Sequence, residues 1–404
     1  MQWLGEIPGH WEKVKLKVFC KENKEKNKGN IESCVLSLSY GKVIIKQNIN
    51  FGLVPDNYEN YQIVNPGYII LRLTDLQNDH RSLRTGLVRN RGIITSAYVG
   101  LVLKDIDSEY TQLLLHTIDI MKVFYGMGGG LRQSMSYTDI ANMYIPVPPL
   151  SEQRAIVSYL DSKCEKIDKM IEGKEKQIAL LQELKQRTIA DVVTRGLNPD
   201  VKMKATNISW LEEIPEHWEM SKISSHFRQR TEKVSDKQYQ PLSVSKLGIT
   251  PQLDNVALSN AEGCSRKLVK KGDYAVNSRS DRKGSCGVSA YNGSVSLITI
   301  VLEPFNIDGD YIHYLFRSAP WVEEFYRNGK GIVADLWTTN YQMMKSMYFP
   351  VPPISEQRAI VSYINERTEK IDTLTSKLQQ EIESIKEYKQ RLISDVVTGQ
   401  IKVC

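Results

Sequence analysis

The chain has 404 residues, long enough for two or three domains, and its 41% hydrophobic and 25% charged residues exclude a low-complexity or disordered protein. With 53 Lys and Arg against 47 Asp and Glu the formal net charge is +6, which permits a nucleic-acid partner without demanding one. Cys20, Cys34, Cys164, Cys264, Cys286 and Cys404 are scattered with no C-x-x-C pair, so reduced thiols are expected and no zinc site or disulfide framework is predicted. No apolar run approaches membrane-spanning length and no signal-peptide pattern opens the chain, so a cytoplasmic protein without membrane contact is expected.

Along the chain, the opening WLGEIPGHW (Trp3 to Trp11) is followed by short β-branched runs at 42–49, 68–73 and 98–103, which predict strands bounded by turns such as Pro66-Gly67. A helical patch lies at about 110–124. Then comes PVPP at 146–149, rigid and unable to continue a helix, with Ser151 at a natural N-cap position and Glu152 in the first turn. From there to about Thr194 no proline occurs and apolar residues alternate at three and four: Leu160, Cys164, Ile167, Ile171, Lys174, Ile178, Leu181, Lys185, Thr188, Val192.

The pattern is then written a second time. WLEEIPEHW spans Trp210 to Trp218, a strand run falls at 295–302, a helical patch at 309–327, and PVPPISEQRAIVSY at 350–363 differs from 146–159 only at Ile354 for Leu150. The second seam runs Ile364, Thr368, Ile371, Thr375, Leu378, Ile382, Ile385, Lys389, Leu392, Val396. KQRTIADVVT at 185–194 matches KQRLISDVVT at 389–398, so the chain is a tandem duplication. Between these blocks only weak echoes survive: Tyr110 with Tyr311, Phe124-Tyr125 with Phe325-Tyr326, and Gly128 and Gly130 with Gly329 and Gly331. A helix of about 44 residues, roughly 65 Å long, is marginal unless its stripe is buried. The other copy is the nearest stripe, although separate packing on each domain or pairing between chains would also cover it.

Each divergent segment reads as a mixed α/β globule carrying basic loops. Arg72, Arg81, Arg84, Arg89, Asn90 and Arg91 cluster in the first; Arg266, Lys267, Lys270 and Lys271, then Asn277, Ser278, Arg279, Arg282 and Lys283, cluster in the second. Arg suits a guanine edge, Asn an adenine edge, and Lys or Ser a phosphate. A polar loop of this kind is also what ordinary solvated surface looks like. No enzyme chemistry is predicted. No G-x-x-x-x-G-K-[ST] occurs, the histidines form no ligand-spaced group, and Val147 and Val351 stand where an adenine methyltransferase motif N-P-P-[YF] would need Asn. His10 and His217 are expected to pack beside Trp11 and Trp218. No catalytic residue, metal or cofactor is assigned.

The twin W-L-x-E-I-P-x-H-W openings, PVPP-[LI]-SEQRAI blocks and KQR-x-I-x-DVVT helix ends resemble the specificity subunits of type I restriction–modification enzymes. The segment KKGDYAVNSRSDRKGSCGVS at 270–289 also resembles a target-recognition domain of that family, whereas the first globule matches less well, with Tyr68 where Asp273 stands. The resemblance implies an α+β fold of two mixed α/β target-recognition domains related by pseudo-twofold symmetry and joined by two long helices in an antiparallel coiled coil. The divisions are 1–145 and 205–349 for the domains, and 146–204 and 350–404 for the linkers with their helices. It further implies a non-catalytic subunit that reads a bipartite asymmetric site in double-stranded DNA. Its partners would be two methyltransferase (modification) subunits, which supply S-adenosylmethionine, and motor-nuclease (restriction) subunits.

Overall fold

Freedom from proline leaves two uninterrupted helices, Leu150–Arg195 of 46 residues and Ile354–Val397 of 44. The computed structural model describes residues 3–46, 57–76, 79, 83–127, 134–252, 266–331 and 337–403. Each helix starts just before the serine predicted as its cap. The carbonyl of Pro149 accepts from the amides of Glu152 and Gln153, both at 2.9 Å, and that of Pro353 from Glu356 and Gln357 at 2.8 and 3.0 Å. Ser151 and Ser355 therefore lie within the first turn, and the proline carbonyl closes it. Each helix stops near a glycine in the left-handed region, Gly196 (φ 76°) and Gly399 (φ 78°), where a Cβ would be strained.

The seam falls where the spacing placed it. Leu160, Ile167, Val192, Ile364, Leu378, Ile382, Leu392 and Val396 are buried, Ile171, Ile178, Leu181, Ile371 and Ile385 are half-buried, and the positions between them are mostly exposed. Chain contacts divide the protein into two compact units, Met1–Lys174 with Gln380–Cys404, and Glu175–Gln379, so each long helix contributes to both. Within the first unit Ile156, Leu160 and Ile167 pack with Leu392, Val396 and Val397; within the second Ile189, Val192 and Val193 pack with Ile360 and Ile364.

The seam lysines reach across to the facing helix. Lys389 bonds Asp168 at 2.6 Å and Lys174 bonds Glu381 in the first unit; Lys185 bonds Asp372 at 2.7 Å in the second. Numbers rise on one helix as they fall on the other, so in each unit the helices run antiparallel. The pairing is intramolecular, as the nearest-stripe argument expected.

Each unit also holds one globule, and the two share a terminal strand pair, a four-stranded sheet, a companion sheet and a hairpin, the second adding strands of its own. In the first, Glu12–Lys15 pairs with Tyr144–Val147, and a four-stranded antiparallel sheet runs Cys20–Glu22, Val99–Leu103, Ile69–Leu71, Thr85–Leu87. Gln62–Val64 pairs with Gly92–Ile94, and Leu36–Ser39 forms a hairpin with Lys42–Ile45. In the second, Glu219–Lys222 pairs with Tyr348–Val351, and the sheet runs Phe227–Gln229, Thr299–Pro304, Tyr274–Asn277, Cys286–Val288. Lys233–Val234, Arg266–Val269 and Gly293–Ser296 form the companion sheet, and Leu242–Ser245 with Gly248–Pro251 the hairpin.

The helices Ser108–Ile120 and Gly309–Leu315 are each capped by an aspartate, Asp107 and Asp308, whose carboxylates accept two first-turn amides. The run predicted as one strand at 295–302 is two. Leu297 and Ile298 turn the chain from the three-stranded sheet into the four-stranded one and stand exposed. The strand predicted at 42–49 is described only as far as residue 46.

Candidate nucleic-acid interface

Corresponding strands carry corresponding loops. The 72–84 loop joins Ile69–Leu71 to Thr85–Leu87, and the 278–285 loop joins Tyr274–Asn277 to Cys286–Val288. Arg72 and Arg84 therefore share a place in the fold with Ser278, Arg279, Arg282 and Lys283. Arg81 lies outside the described residues.

In the second unit the strand end shapes the loop. The Asn277 side chain accepts the amide of Arg279 at 3.1 Å, an Asx turn. Ser278 is buried and its carbonyl accepts the amide of Thr339 at 3.0 Å. The basic side chains then point outward. Arg279 pairs with Asp281 at 3.0 Å, while Arg282, 67% exposed, holds only a 3.8 Å contact to that carboxylate. Lys283 bonds Glu323 at 2.6 Å. One short acid thus sits between two arginines and keeps their guanidinium planes near the loop without covering them.

The first unit differs, and one of its candidates is corrected. Arg84 is fully buried and all five of its guanidinium N–H groups are taken. Nε donates to the Tyr125 hydroxyl at 3.0 Å; Nη1 donates to the carbonyls of Arg72 and Thr74 at 3.1 and 2.8 Å, and Nη2 to those of Asp75 and Asp79 at 3.2 and 2.5 Å. Its amide also donates to the buried Asp119 carboxylate at 2.6 Å, a group whose pKa burial pushes up. Arg84 is a frame for the loop and has no donor left for DNA. Arg72, one-third exposed, pairs with Asp79 at 3.2 Å.

Arg89, Asn90 and Arg91 are exposed, but they lie at the other end of Thr85–Leu87, so the structure does not gather them with Arg72. Arg89 forks onto Glu109 at 2.8 and 3.1 Å, and Arg91 bonds Glu32 at 3.2 Å and Asn65 at 3.0 Å. Lys267 is also corrected: it lies in a strand, and its ammonium bonds the carbonyls of Leu297 and Thr299 at 3.1 and 2.5 Å. Burial lowers its pKa, and its role is to hold the 297–298 corner. Asp273, in the 270–289 motif, forms a buried fork with Arg230 at 2.7 and 3.1 Å.

A cleft of about 1000 Å³ adjoins the second loop, lined by Trp210, Ser280, Asp281, Lys283, Tyr326 and Trp337 among others. Its lining sets the acids Asp281, Glu323 and Glu324 beside the cations Lys283 and Arg327. Among the described residues no cluster of His, Cys, Asp and Glu could hold a metal ion, and no helix is long and apolar enough to cross a membrane.

Sequence reasoning passed over the residues that tie loops to helices, although each belongs to a repeated block or echo. Glu152 accepts from Trp11 Nε1 at 3.1 Å and contacts His10 at 2.9 Å; Glu356 contacts His217 at 2.8 Å. The histidines thus face these carboxylates as well as standing edge-on to their tryptophans, with ring centroids 6.5 Å apart. Gln153 accepts the Asp107 amide and donates to the Pro148 carbonyl, both at 2.8 Å, and Gln357 does the same with Asp308 and Pro352.

The type I restriction modification DNA specificity domain matches this chain twice, over residues 8–180 and 215–384. The chain belongs to that family. It is 24% identical over 285 residues to a Methanocaldococcus jannaschii protein named as the MjaX type I restriction enzyme specificity subunit, covering 67% of this chain and 62% of that one. It is likewise 24% identical over 284 residues to the MjaVIII specificity subunit of the same organism, covering 65% and 63%. It thus spans 62–63% of the length of these curated specificity subunits.

Two solved structures share the fold. One, from work on complex assembly and conformational transition of the type I R-M system, has TM-score 0.67 at 16% identity over 98% of this chain and 100% of that one. The HsdS subunit from Thermoanaerobacter tengcongensis has TM-score 0.53 at 16% identity, over 98% and 99%. The α+β class, with two mixed domains and two long helices, is that of the specificity-domain family.

Proposed function

We propose that this chain is the non-catalytic DNA-reading subunit of a type I restriction–modification complex, each globule reading one half of a bipartite asymmetric site. The observation that carries the reading is a duplicated frame with unlike loops. The four-stranded sheets have the same strand order, yet the loop after Ile69–Leu71 and the loop after Tyr274–Asn277 present different side chains. Arg279 and Arg282 are the base- or phosphate-contacting candidates of the second loop, and Arg72 of the first; Lys283, Arg89, Asn90 and Arg91 are candidates for positioning contacts to the backbone. The family match in two copies supports the same division of labour.

The paired helices would hold the two globules in a pseudo-twofold arrangement and set the gap between half-sites, as spacing does in dimeric readers. The blocks that are alike in both copies would dock two methyltransferase subunits, which supply S-adenosylmethionine and flip the target adenine. Motor-nuclease subunits would add cleavage, and the complex would work in the cytoplasm.

The test is a methylation map of host DNA with and without this chain, repeated with residues 219–349 exchanged for another variable segment. One half of the methylated sequence should change while the other half and the gap stay. The paired substitution Arg279→Ala, Arg282→Ala should lower specific binding far more than binding to random DNA. Equal loss on both, or a change in both halves on exchange, would overturn the reading.

A further inference from the structure

We propose that Tyr125 and Tyr326 are positioning residues for the two DNA-reading loops, one phenol beneath each, and that they govern specificity without touching DNA. The inference rests on the proposed function and adds the residues that hold the reading surface in shape.

The two tyrosines occupy the same place in the duplication, the second residue of the Phe-Tyr echo that follows the first globular helix. Tyr326 is buried, and its hydroxyl lies 2.8 Å from the carbonyl oxygen of Asn277 and 3.2 Å from that of Arg282. Those carbonyls bracket Arg279, so a single hydroxyl hydrogen shared between them closes the segment that carries both arginines. Tyr125 donates to the carbonyl of Asp79 at 3.1 Å and accepts from Arg84 Nε at 3.0 Å. The Arg84 guanidinium stands 5.1 Å from the Tyr125 ring centre while its other nitrogens gather the carbonyls of the 72–79 stretch.

The loops share little sequence, yet each is secured through backbone carbonyls. A carbonyl is present whatever side chain the position carries, so this support tolerates exchange of the side chains that face a duplex. The arrangement is a fixed post under an interchangeable loop. Pre-organisation of this kind strengthens binding where geometry must match and does little for contacts set by charge alone.

Tyr326→Phe removes one oxygen and leaves the ring. In the full chain, assembled as it occurs in its complex, it should lower the ratio of target to random-sequence DNA binding by roughly 3- to 10-fold, the worth of one hydrogen bond, while binding to random DNA stays unchanged. Relaxed methylation should appear in only one half-site, and Tyr125→Phe should relax the other. Hydrogen exchange in the 274–288 peptide should quicken in Tyr326→Phe and not in Tyr125→Phe.

An unchanged ratio, equal loss on target and random DNA, or relaxation in both half-sites for one substitution would overturn the proposal. A wild-type chain with no sequence preference, or one whose preference survives Arg279→Ala with Arg282→Ala, would overturn the function beneath it and this proposal with it. Preserved dependence on those arginines with an unaffected Tyr326→Phe would overturn the positioning role alone.

Discussion

Tyr110 donates its hydroxyl hydrogen toward the carbonyl oxygen of Val397, 3.2 Å away and 287 positions along the chain. The same hydroxyl lies 3.1 Å from the carbonyl of Pro146, so one buried phenol ties the start of the first long helix's approach to the end of the second helix within one unit. Tyr311 repeats the device in the other unit, 3.1 Å from both Val193 and Pro350. Both rings are fully buried, and burial keeps both phenols protonated by raising their pKa. Tyr110→Phe or Tyr311→Phe leaves two buried carbonyls short of a donor and should cost about 1–2 kcal/mol. Urea denaturation of each variant checks it, and a midpoint equal to wild type would show that these bonds add nothing.

The lysines that interrupt the seam should fix its register rather than its strength. Lys185 faces Asp372 at 2.7 Å, with the carboxylate mostly in solvent, so the pair contributes only about 0.5 kcal/mol. Lys185→Glu sets two acids opposite each other and should lower thermal stability slightly; adding Asp372→Lys should restore it. A double variant no better than the sum of its singles would mean that the pair exerts no coupling.

This seam was legible in the sequence because heptad spacing needs only one fact, which side of a helix is apolar. Ile167, Ile364 and Val396 are buried as their period requires. The loops resisted the same treatment. Arg84 and Arg279 look alike in sequence, a basic residue among polar neighbours, and differ only in whether nearby backbone carbonyls turn inward to meet the guanidinium. The corner at Leu297 and Ile298 was hidden for another reason: the run VSLITIVL has no turn residue, and only the pairing of Ser296 with Arg266 and of Thr299 with Asn277 shows the chain changing sheets. The weak Tyr and Phe-Tyr echoes were visible, but their meaning lies in contacts from 36 to 287 positions away.

Asp273 illustrates a motif residue whose work is structural. It is buried beside Arg230, which is itself mostly covered, and its Oδ2 also accepts the amide of Lys270 at 2.8 Å. Asp273→Ala would strip the mostly covered Arg230 guanidinium of its forked partner, leaving the half-exposed Glu303 at 3.4 Å, and should destabilise the second unit by about 3 kcal/mol, the low end for a broken buried pair. Asp273→Asn keeps one acceptor and should cost less. Chemical denaturation followed by the tryptophans of the second unit measures both, and a cost near zero for Asp273→Ala would place the pair on an effectively solvated surface.

The second unit should also lose stability in mild acid, and His313 supplies part of the reason. Burial, with Arg317 beside it, pushes its pKa down to about 4, and its Nδ1 accepts the amide of Val288 at 3.3 Å. Protonation would remove that acceptor and set a second cation next to Arg317. The unfolded chain, with an ordinary histidine pKa near 6.5, takes up the proton first, so the unfolded state binds more protons between about pH 6.5 and pH 4. The stabilisation is complete above the upper end of that window and falls away as pH drops through it. His226, lowered by burial in the same unit, acts with the same sign, so the contribution of His313 is isolated by difference. Melting temperatures measured from pH 7.5 to pH 4.5 should fall more steeply for the wild type than for His313→Gln, and parallel curves would assign the acid sensitivity to other groups.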